Sequence, residues 1–170
     1  MVPAFPLVCN LPSPDATAAL ASSVAPHLVA GDVLLLSGDI GAGKTHFARA
    51  LIQSRLSALG KPEDVPSPTF TIIQTYQDAD VEIWHADLYR LTNAFEVVEL
   101  GLTDAFRDAI CLVEWPENLG QFYPANALKI DFSAGNTDDA RVLGFETTAP
   151  RWNEIIPSLI QFGACSLSDV

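Results

Sequence analysis

The feature that most constrains this chain is a glycine-rich segment at residues 38–45, which has the form Gly-x-x-x-x-Gly-Lys-Thr. An apolar run ends at Gly38, and a pattern of helical period begins after the segment. Strand, glycine-rich loop and helix in this order are typical of a phosphate-binding loop, or P-loop. The glycines let successive backbone N–H groups point inward, and the helix N-terminus adds partial positive charge. The segment therefore predicts a cradle for the phosphates of a nucleotide.

Two residues of this segment carry specific chemistry. Lys44 is predicted to reach the β- and γ-phosphates and to be catalytic, and the Thr45 hydroxyl is predicted to bind Mg²⁺. The alternative is an ordinary glycine-rich turn beside a lysine, which the flanking strand and helix patterns disfavour. The predicted nucleotide-binding residues are Gly38, Asp39, Ile40, Gly41, Ala42, Gly43, Lys44 and Thr45.

The composition favours a globular chain with one core. Of its 170 residues, 49% are hydrophobic and 18% are charged, unlike a disordered chain. No apolar run approaches the ~20 residues that cross a bilayer, and the first residues lack the basic region of a signal peptide. Three cysteines, far apart and without metal-ligand spacing, favour a reducing compartment over a disulfide frame or a zinc site. We therefore expect a cytoplasmic protein that does not enter a membrane.

The net charge of −12 limits the class of partner. Nine Lys and Arg residues stand against 21 Asp and Glu residues. Affinity for nucleic acid comes mostly from cationic side chains that neutralise phosphates, so direct binding of RNA or DNA is disfavoured. The acidity fits either solubility alone or an acidic face that docks on a basic protein, and the sequence does not separate these two interpretations.

Hydrophobic periodicity predicts an α/β domain. Two apolar runs, residues 33–37 and 110–113, predict buried parallel strands at the centre of a sheet. A helix over residues 47–59 is expected to end at Gly60. Alternating patterns predict two hairpins, residues 70–76 with 81–87 and residues 127–133 with 140–147. Together they indicate one P-loop NTPase-like domain over residues 1–170, with a three-layer fold and a central sheet of mixed parallel and antiparallel strands flanked by helices.

The patterns near the chain ends are weaker. Residues 5–11 predict a short edge strand, and Thr103 is expected to cap a helical turn. Residues 150–162 predict a closing helix broken by Pro157. A loose tail is expected from about residue 163.

Two acidic residues stand at predicted strand ends, where the catalytic groups of open α/β sheets collect. Glu114 follows the wholly apolar run that most resembles a Walker-B strand, so we expect it to be the metal-side acid. Asp87 ends the second strand of the first hairpin and is expected to orient water or to hold the water shell of the metal. Which of the two lies closer to the attacking water stays open, and each alone also fits a solvated residue at a strand end.

Three further residues are candidates with simpler alternatives. Thr69 follows Pro68 at the start of a strand, where nucleotide switches use a threonine to sense Mg²⁺ and the γ-phosphate; ordinary loop chemistry gives the same pattern. Trp115 is a second switch-like candidate, expected either to flank the nucleotide or a partner, or to pack under the next proline. His85 alternates with apolar residues and is expected to be a hydrogen-bonded core histidine.

Taken together, these motifs resemble the TsaE (YjeE) family of P-loop ATPases in bacterial tRNA threonylcarbamoyladenosine biosynthesis. The likeness extends from about residue 12 to residue 145 in the order and spacing of the family. His46 departs from it where a small hydroxyl residue is usual, and Ala50 where glycine is common. The segments that carry the likeness are residues 38–45, Ser67-Pro68-Thr69-Phe70, His85-Ala86-Asp87-Leu88-Tyr89-Arg90, Glu99-Leu100-Gly101-Leu102 and Glu114-Trp115-Pro116-Glu117.

The resemblance implies ATP in the P-loop, with Mg²⁺ held by Thr45 and Glu114. It also implies a switch-like role for Thr69 and a catalytic or Walker-B role for Asp87. Proteins of this family do not transfer the threonylcarbamoyl group. They bind the transferase TsaD with its partner TsaB, and their ATP hydrolysis supports turnover of that complex. By this resemblance, tRNA is met only through the complex.

Three other functions compete with this interpretation. A small-molecule kinase would need an acceptor pocket and usually an arginine-rich lid, and the sequence has no long lid segment. A nucleotide-binding module without turnover would use ATP only to hold partners together. A GTPase is disfavoured because no Asn-Lys-x-Asp stands where guanine would be recognised.

Overall fold

The apolar run before the glycine-rich loop forms a strand, Val33–Ser37, in the middle of an eight-stranded sheet. The computed structural model describes residues 4–169. Successive side chains of this strand point to opposite faces, so Leu34 and Leu36 enter one apolar core while Val33 and Leu35 enter the other. All four are fully buried, as expected for a strand covered on both faces.

The sheet combines parallel and antiparallel strands, and its order across the fold is β3-β4-β5-β2-β6-β7-β1-β8. The strands are β1 (Leu7–Leu11), β2 (Val33–Ser37), β3 (Ile73–Asp78), β4 (Val81–Asp87), β5 (Ile110–Glu114), β6 (Leu128–Ala134), β7 (Arg141–Glu146) and β8 (Cys165–Ser166). The α-helices are α1 (Pro14–Val24), α2 (Lys44–Ala58), α3 (Glu96–Glu99), α4 (Leu102–Asp108) and α5 (Ile156–Ile160). Within residues 4–169, four 3₁₀ helices cover Ala25–His27, Pro116–Phe122, Pro150–Ile155 and Leu167–Asp169.

The central strands are parallel, which brings several strand ends to one edge. Strand β2 pairs in parallel with β5 and β6, and β4 pairs in parallel with β5. The remaining pairs, including the two predicted hairpins, are antiparallel. The register places Glu114 beside Leu36 on one side and beside Asp87 on the other. The predicted acids are therefore neighbours at the carboxyl edge of the sheet.

Helices cover both faces of the sheet, which confirms the predicted three-layer α/β fold. Leu20 of α1, Leu51 of α2 and Leu159 of α5 belong to one buried cluster. Val97 of α3 and Leu102 of α4 belong to the other. Among residues 4–169, no helix has both the length and the apolar composition needed to cross a membrane.

The first hairpin begins later than the sequence pattern predicts. Strand β3 starts at Ile73, whereas residues 68–71 form a turn. The reason is the backbone of Ile72, which has a φ of +69° and cannot continue a strand. Its N–H donates to the carbonyl of Pro68 at 2.7 Å and so closes the turn. The predicted strand over residues 70–76 is therefore correct only in its second half.

Two helix predictions also need correction. Helix α4 starts at Leu102 after Gly101, whose φ is +81°, so Thr103 lies inside the helix and does not cap it. Residues 150–162 do not form one broken helix. A 3₁₀ segment, Pro150–Ile155, precedes α5, and Pro157 lies in the first turn of α5, where a missing N–H breaks no helical hydrogen bond.

The first and last described strands, β1 and β8, pair in the outer part of the sheet. Strand β1 pairs with β7 on one side and with the two residues of β8 on the other. The prediction that residues 5–11 form an edge strand is therefore wrong at Leu7 and Val8, where β8 lies outside β1. For the same reason, a loose tail does not describe residues 165–166, which are paired with Leu7 and Val8.

Candidate functional site

A cleft of about 440 Å³ opens at the carboxyl edge of the central strands. It collects the glycine-rich loop, both predicted acids and both switch candidates. Gly38, Asp39 and Ala42 complete the same loop outside this lining. The lining residues are Ile40, Gly41, Gly43, Lys44, Thr45, His46, Thr69, Asp87, Tyr89, Glu114 and Trp115.

The loop has the backbone of an anion cradle. Gly38 has a φ of +147°, and a Cβ there would lie 2.7 Å from the carbonyl oxygen of Phe132, so only glycine fits without a shift. Gly43 has a φ of +105° and stands directly before α2. No side chain caps the first N–H groups of this helix. These donors are therefore available to an anion in the cleft.

Lys44 is buried to 5% exposure at the start of α2. Its ammonium donates to the carbonyl oxygen of Gly38 and lies 3.6 Å from the centre of the Trp115 ring. Burial lowers the pKa of Lys44, whereas four acids oppose that shift, of which Glu114 acts most strongly. The lysine is thus held inside the glycine-rich loop by the Gly38 carbonyl, and nearby acids, Glu114 foremost, act on its charge.

The predicted metal ligands contact each other directly. The hydroxyl of Thr45 donates to Glu114 Oε1 at 2.7 Å. The second carboxylate oxygen, Oε2, lies 2.7 Å from Nε2 of His85. Glu114 is only 2% exposed and His85 is fully buried. The position of His85 confirms a hydrogen-bonded core histidine, but sequence reasoning missed that its partner is the metal-side acid.

Asp87 lies beside Glu114 and is 7% exposed. Its Oδ1 accepts a hydrogen bond of 3.0 Å from the Tyr89 N–H, and its Oδ2 lies 3.4 Å from the Thr69 hydroxyl. The turn that carries Thr69 is joined to the same strand end, because the Asp87 N–H donates to the carbonyl of Ile72 at 2.8 Å. The structure therefore brings Thr69 to Asp87, and not to Glu114.

Aromatic side chains form one wall of the cleft. The rings of Tyr89 and Trp115 lie 4.9 Å apart between centroids and are tilted by 50°. Trp115 has a φ of +58°, which is uncommon for a residue with a bulky side chain. The backbone at Trp115 therefore adopts a strained conformation at the place where its ring meets Lys44.

Arg141, at the start of β7, contacts the glycine-rich loop, and the sequence analysis did not predict this contact. Its guanidinium donates to the carbonyls of Ala42 at 3.1 Å and Gly41 at 3.3 Å, and also to two carbonyls of the β6–β7 turn. The C=O and N–H groups of one peptide plane point in opposite directions. The contact at Ala42 therefore turns the Gly43 N–H away from Arg141. No motif marks this residue, because its role depends on pairing between distant strands.

The site suits a nucleotide with Mg²⁺ better than a metal held by protein alone. Within residues 4–169, no group of three or more His, Cys, Asp or Glu side chains could hold a metal ion. Mg²⁺ in nucleotide sites takes only one or two protein oxygens and completes its shell with phosphates and water. The Thr45 hydroxyl and the Glu114 carboxylate fit that requirement, since both oxygens lie beside the uncapped start of α2.

Known proteins share both the sequence and the fold. The family model of threonylcarbamoyl adenosine biosynthesis protein TsaE matches residues 11–143. A protein from Rickettsia conorii is 35% identical over 153 residues, which cover 90% of this chain and 85% of the relative. A protein from Bacillus subtilis is 36% identical over 148 residues, or 86% of this chain and 89% of the relative. Both are named tRNA threonylcarbamoyladenosine biosynthesis protein TsaE.

Structural similarity leads to the same family. The crystal structure of YdiB from Bacillus subtilis superposes with a TM-score of 0.72 at 32% sequence identity. The match covers 91% of this chain and 93% of that one. Since the family model spans most of the chain and close relatives cover nearly all of it, the chain belongs to the TsaE family of threonylcarbamoyl adenosine biosynthesis proteins.

Proposed function

We propose that this protein is a Mg²⁺-dependent ATPase of tRNA threonylcarbamoyladenosine biosynthesis in the cytoplasm. One observation carries the proposal: the Thr45 hydroxyl and the Glu114 carboxylate meet at 2.7 Å at the start of an uncapped P-loop helix. A phosphate cradle, a magnesium-binding hydroxyl and a strand-end acid are the parts that P-loop hydrolysis requires. The family membership supports the pathway.

In this proposal, the chain acts mainly by positioning and by electrostatics. The backbone N–H groups around Gly43 bind the phosphates of ATP, and the Lys44 ammonium leaves the Gly38 carbonyl to contact the β- and γ-phosphates. Thr45 and Glu114 would hold Mg²⁺. When bound, this ion would neutralise the negative charge that develops on the β- and γ-phosphate oxygens.

Asp87 is proposed to orient the attacking water. Its carboxylate is fixed by the Tyr89 N–H at 3.0 Å and has a second oxygen near the Thr69 hydroxyl. A fixed carboxylate beside the metal-side acid can accept a hydrogen bond from water without reorganising. Thr69 would sense the γ-phosphate through its contact with Asp87. Trp115 would respond to the γ-phosphate through its contact with Lys44.

The proposed partners are the transferase TsaD and its partner TsaB, with tRNA met only through their complex. The net charge of −12 supports a protein partner over direct contact with RNA. ATP hydrolysis would support repeated turnover of the transferase complex, while this chain itself transfers no threonylcarbamoyl group.

The test is a Lys44→Ala variant assayed with TsaB and TsaD. We expect ATP hydrolysis to fall by at least about a hundredfold, because the variant lacks the cation that contacts the transferring phosphate. Modification of tRNA over many rounds should fall with it. A Lys61→Ala variant is the control, because Lys61 is exposed in a loop after α2 and does not line the cleft.

Three outcomes would overturn the proposal. The first is a parental rate of hydrolysis in Lys44→Ala, and the second is transfer of phosphate from ATP to a metabolite and not to water. The third is a non-hydrolysable ATP analogue that sustains modification through many rounds as well as ATP does. The second outcome would indicate a kinase, and the third a module that uses ATP only to hold its partners.

A further inference from the structure

His85 is a buried ionisable side chain beside the cleft that the proposed mechanism leaves without a role. It stands on β4 with no exposed surface, and its Nε2 lies 2.7 Å from Glu114 Oε2. Its other ring nitrogen, Nδ1, is buried and has no hydrogen-bond partner among the described residues. A buried polar atom without a partner is unfavourable for folding and is uncommon in native structures. The protein therefore retains a histidine where an apolar side chain would pack without that cost.

The contact with Glu114 determines which ring nitrogen is the donor. An ionised carboxylate only accepts hydrogen bonds, so beside an ionised Glu114 it is Nε2 of His85 that carries the hydrogen of this contact. The bond occupies Oε2 of Glu114, while Oε1 accepts from the Thr45 hydroxyl at 2.7 Å. Each oxygen of the acid thus has one defined partner.

Strand register explains why the ring can reach this oxygen. Glu114 is paired with Asp87 on β4, and His85 stands two residues before Asp87, so the three side chains share one face of the sheet. Glutamate has three rotatable side-chain bonds, which leave its carboxylate free to turn unless a partner holds it. The Lys44 ammonium is a cation that attracts this carboxylate, because Glu114 opposes the lowered pKa of Lys44 more strongly than any other acid does. A freed Glu114 would turn toward that cation and away from Thr45.

We propose that His85 is a positioning residue that fixes the carboxylate of Glu114, so that Oε1 stays beside Thr45 at the place where Mg²⁺ binds. Its role resembles that of the outer residues that orient metal ligands in other proteins. The proposal rests on the proposed function, because it assumes a nucleotide with Mg²⁺ in the cleft. It adds a determinant of magnesium affinity outside the P-loop and the two strand-end acids.

Two amide variants test the proposal by position. In His85→Gln the side-chain amide nitrogen stands about where Nε2 stands, whereas in His85→Asn it stands about where Nδ1 stands and falls short of Glu114. A fluorescent ATP analogue is bound first in EDTA and then with increasing Mg²⁺. We expect H85N to need about tenfold more Mg²⁺ for half-maximal effect, with its affinity in EDTA unchanged, as when an outer partner of a metal ligand is lost. H85Q should remain close to the parent.

The control is Ile83→Val, a small change on the same strand and face at a fully buried residue. Equal magnesium requirements of H85N and the parent would overturn the proposal, as would an equal loss in H85N and H85Q. An H85N protein that loses affinity equally in EDTA would show damage to the whole cleft and would also contradict it. Should H85N not fold, His85→Met replaces it, because methionine keeps the volume without a donor. Failure of the premise of a nucleotide with Mg²⁺ in the cleft is distinguishable, since the parent itself would then bind no nucleotide or show no response to Mg²⁺, whereas a kinase or a module without turnover would leave this binding test unchanged.

Discussion

The ammonium of Lys44 lies 3.6 Å from the centre of the Trp115 ring, in the cleft that both residues line. The same ammonium donates to the Gly38 carbonyl. A cation over an indole face is stabilised by roughly 0.5–2 kcal/mol, depending on its solvation. The phosphates of the proposed nucleotide would therefore compete with this ring for one cation.

This competition predicts that nucleotide binding changes the fluorescence of Trp115. When the phosphates draw Lys44 away from the ring, the indole loses a charge in direct contact with its face, and its emission should change. The measurement is a titration of the parent protein with ATP and Mg²⁺, followed by tryptophan emission. In Trp115→Phe the response should disappear, while ATP should still bind.

A Trp84→Phe variant is the control for that measurement. Trp84 donates to Glu82 at 2.9 Å and lies near Gly101, away from the residues that line the cleft. Its removal should leave the response intact. If Trp84→Phe abolished the response and Trp115→Phe preserved it, the ring over Lys44 would not be the reporter.

Arg141 is predicted to preorganise the P-loop from behind. Its guanidinium joins the carbonyls of Gly41 and Ala42 to the β6–β7 turn. Without it, the loop must be ordered when the nucleotide binds, so Arg141→Ala should weaken ATP binding by roughly tenfold, equivalent to about 1.4 kcal/mol. The ATP affinity of Arg141→Lys should lie between that of the parent and that of Arg141→Ala, because one ammonium cannot span the same acceptors.

The control for Arg141 is Arg107→Ala. Arg107 is 82% exposed, and its ion pair with Asp104 is 3.9 Å long. Its loss should leave ATP affinity unchanged, because exposed ion pairs contribute little. Unchanged ATP affinity in Arg141→Ala, measured by calorimetry, would contradict the predicted role.

Much of this fold and site is predictable because it depends on local pattern. The apolar β2, the glycine-rich loop and the start of α2 follow one another in the chain, so periodicity and glycine spacing suffice to predict them. Glu114 is predictable for the same reason, since it ends a wholly buried strand. The residues that escaped prediction act through pairing between segments far apart in sequence.

Arg141 and His85 illustrate that limit. Arg141 reaches Gly41 across 100 positions of the chain, and nothing near it in sequence marks a P-loop contact. His85 is predictable as a buried histidine from alternation, but its partner depends on the parallel register of β4 with β5. The late start of β3 depends on the positive φ of Ile72, which the β-branched side chain does not favour.

The three cysteines are predicted to differ sharply in reactivity. Burial raises the pKa of both Cys9 and Cys111 to about 12, whereas the Cys165 side chain is half-buried. At pH 8 a thiol of that pKa is ionised in only about one molecule in ten thousand, so it is inert to thiol reagents. Titration of the native protein with a disulfide reagent should therefore modify one thiol, and Cys165→Ser should reduce that number to zero.

The same raised pKa values predict how stability changes with pH. A thiol in the unfolded chain ionises near its ordinary value of 9.0, well before the buried thiol does. The unfolded state therefore loses protons first, and the free energy of unfolding should fall as pH rises above about 9. Urea unfolding at pH 7 and at pH 10 measures this change in the free energy of unfolding. For the reactivity of the thiols, the check is that all three are modified once the protein is unfolded in denaturant. Rapid modification of Cys9 in the native protein would contradict the prediction.

Alanine substitutions at two glycines of the glycine-rich loop distinguish two costs, the strain of a left-handed backbone and a steric clash of the added Cβ. Gly38 and Gly41 both have positive φ, of +147° and +81°. An added Cβ at Gly41 meets nothing within 4 Å, so Gly41→Ala should cost only the strain of the left-handed backbone, about 1–2 kcal/mol. At Gly38 the Cβ would lie 2.7 Å from the Phe132 carbonyl oxygen, which β6 holds in place.

Gly38→Ala should therefore lower the free energy of unfolding by about 2 kcal/mol more than Gly41→Ala does, since overpacking against fixed backbone adds to the strain. Urea unfolding of both variants beside the parent measures the difference. Stability is the appropriate readout, because both glycines belong to the loop and either variant can weaken nucleotide binding. Equal losses in the two variants would mean that Phe132 yields to the new methyl group, and that left-handed backbone alone requires glycine at residue 38.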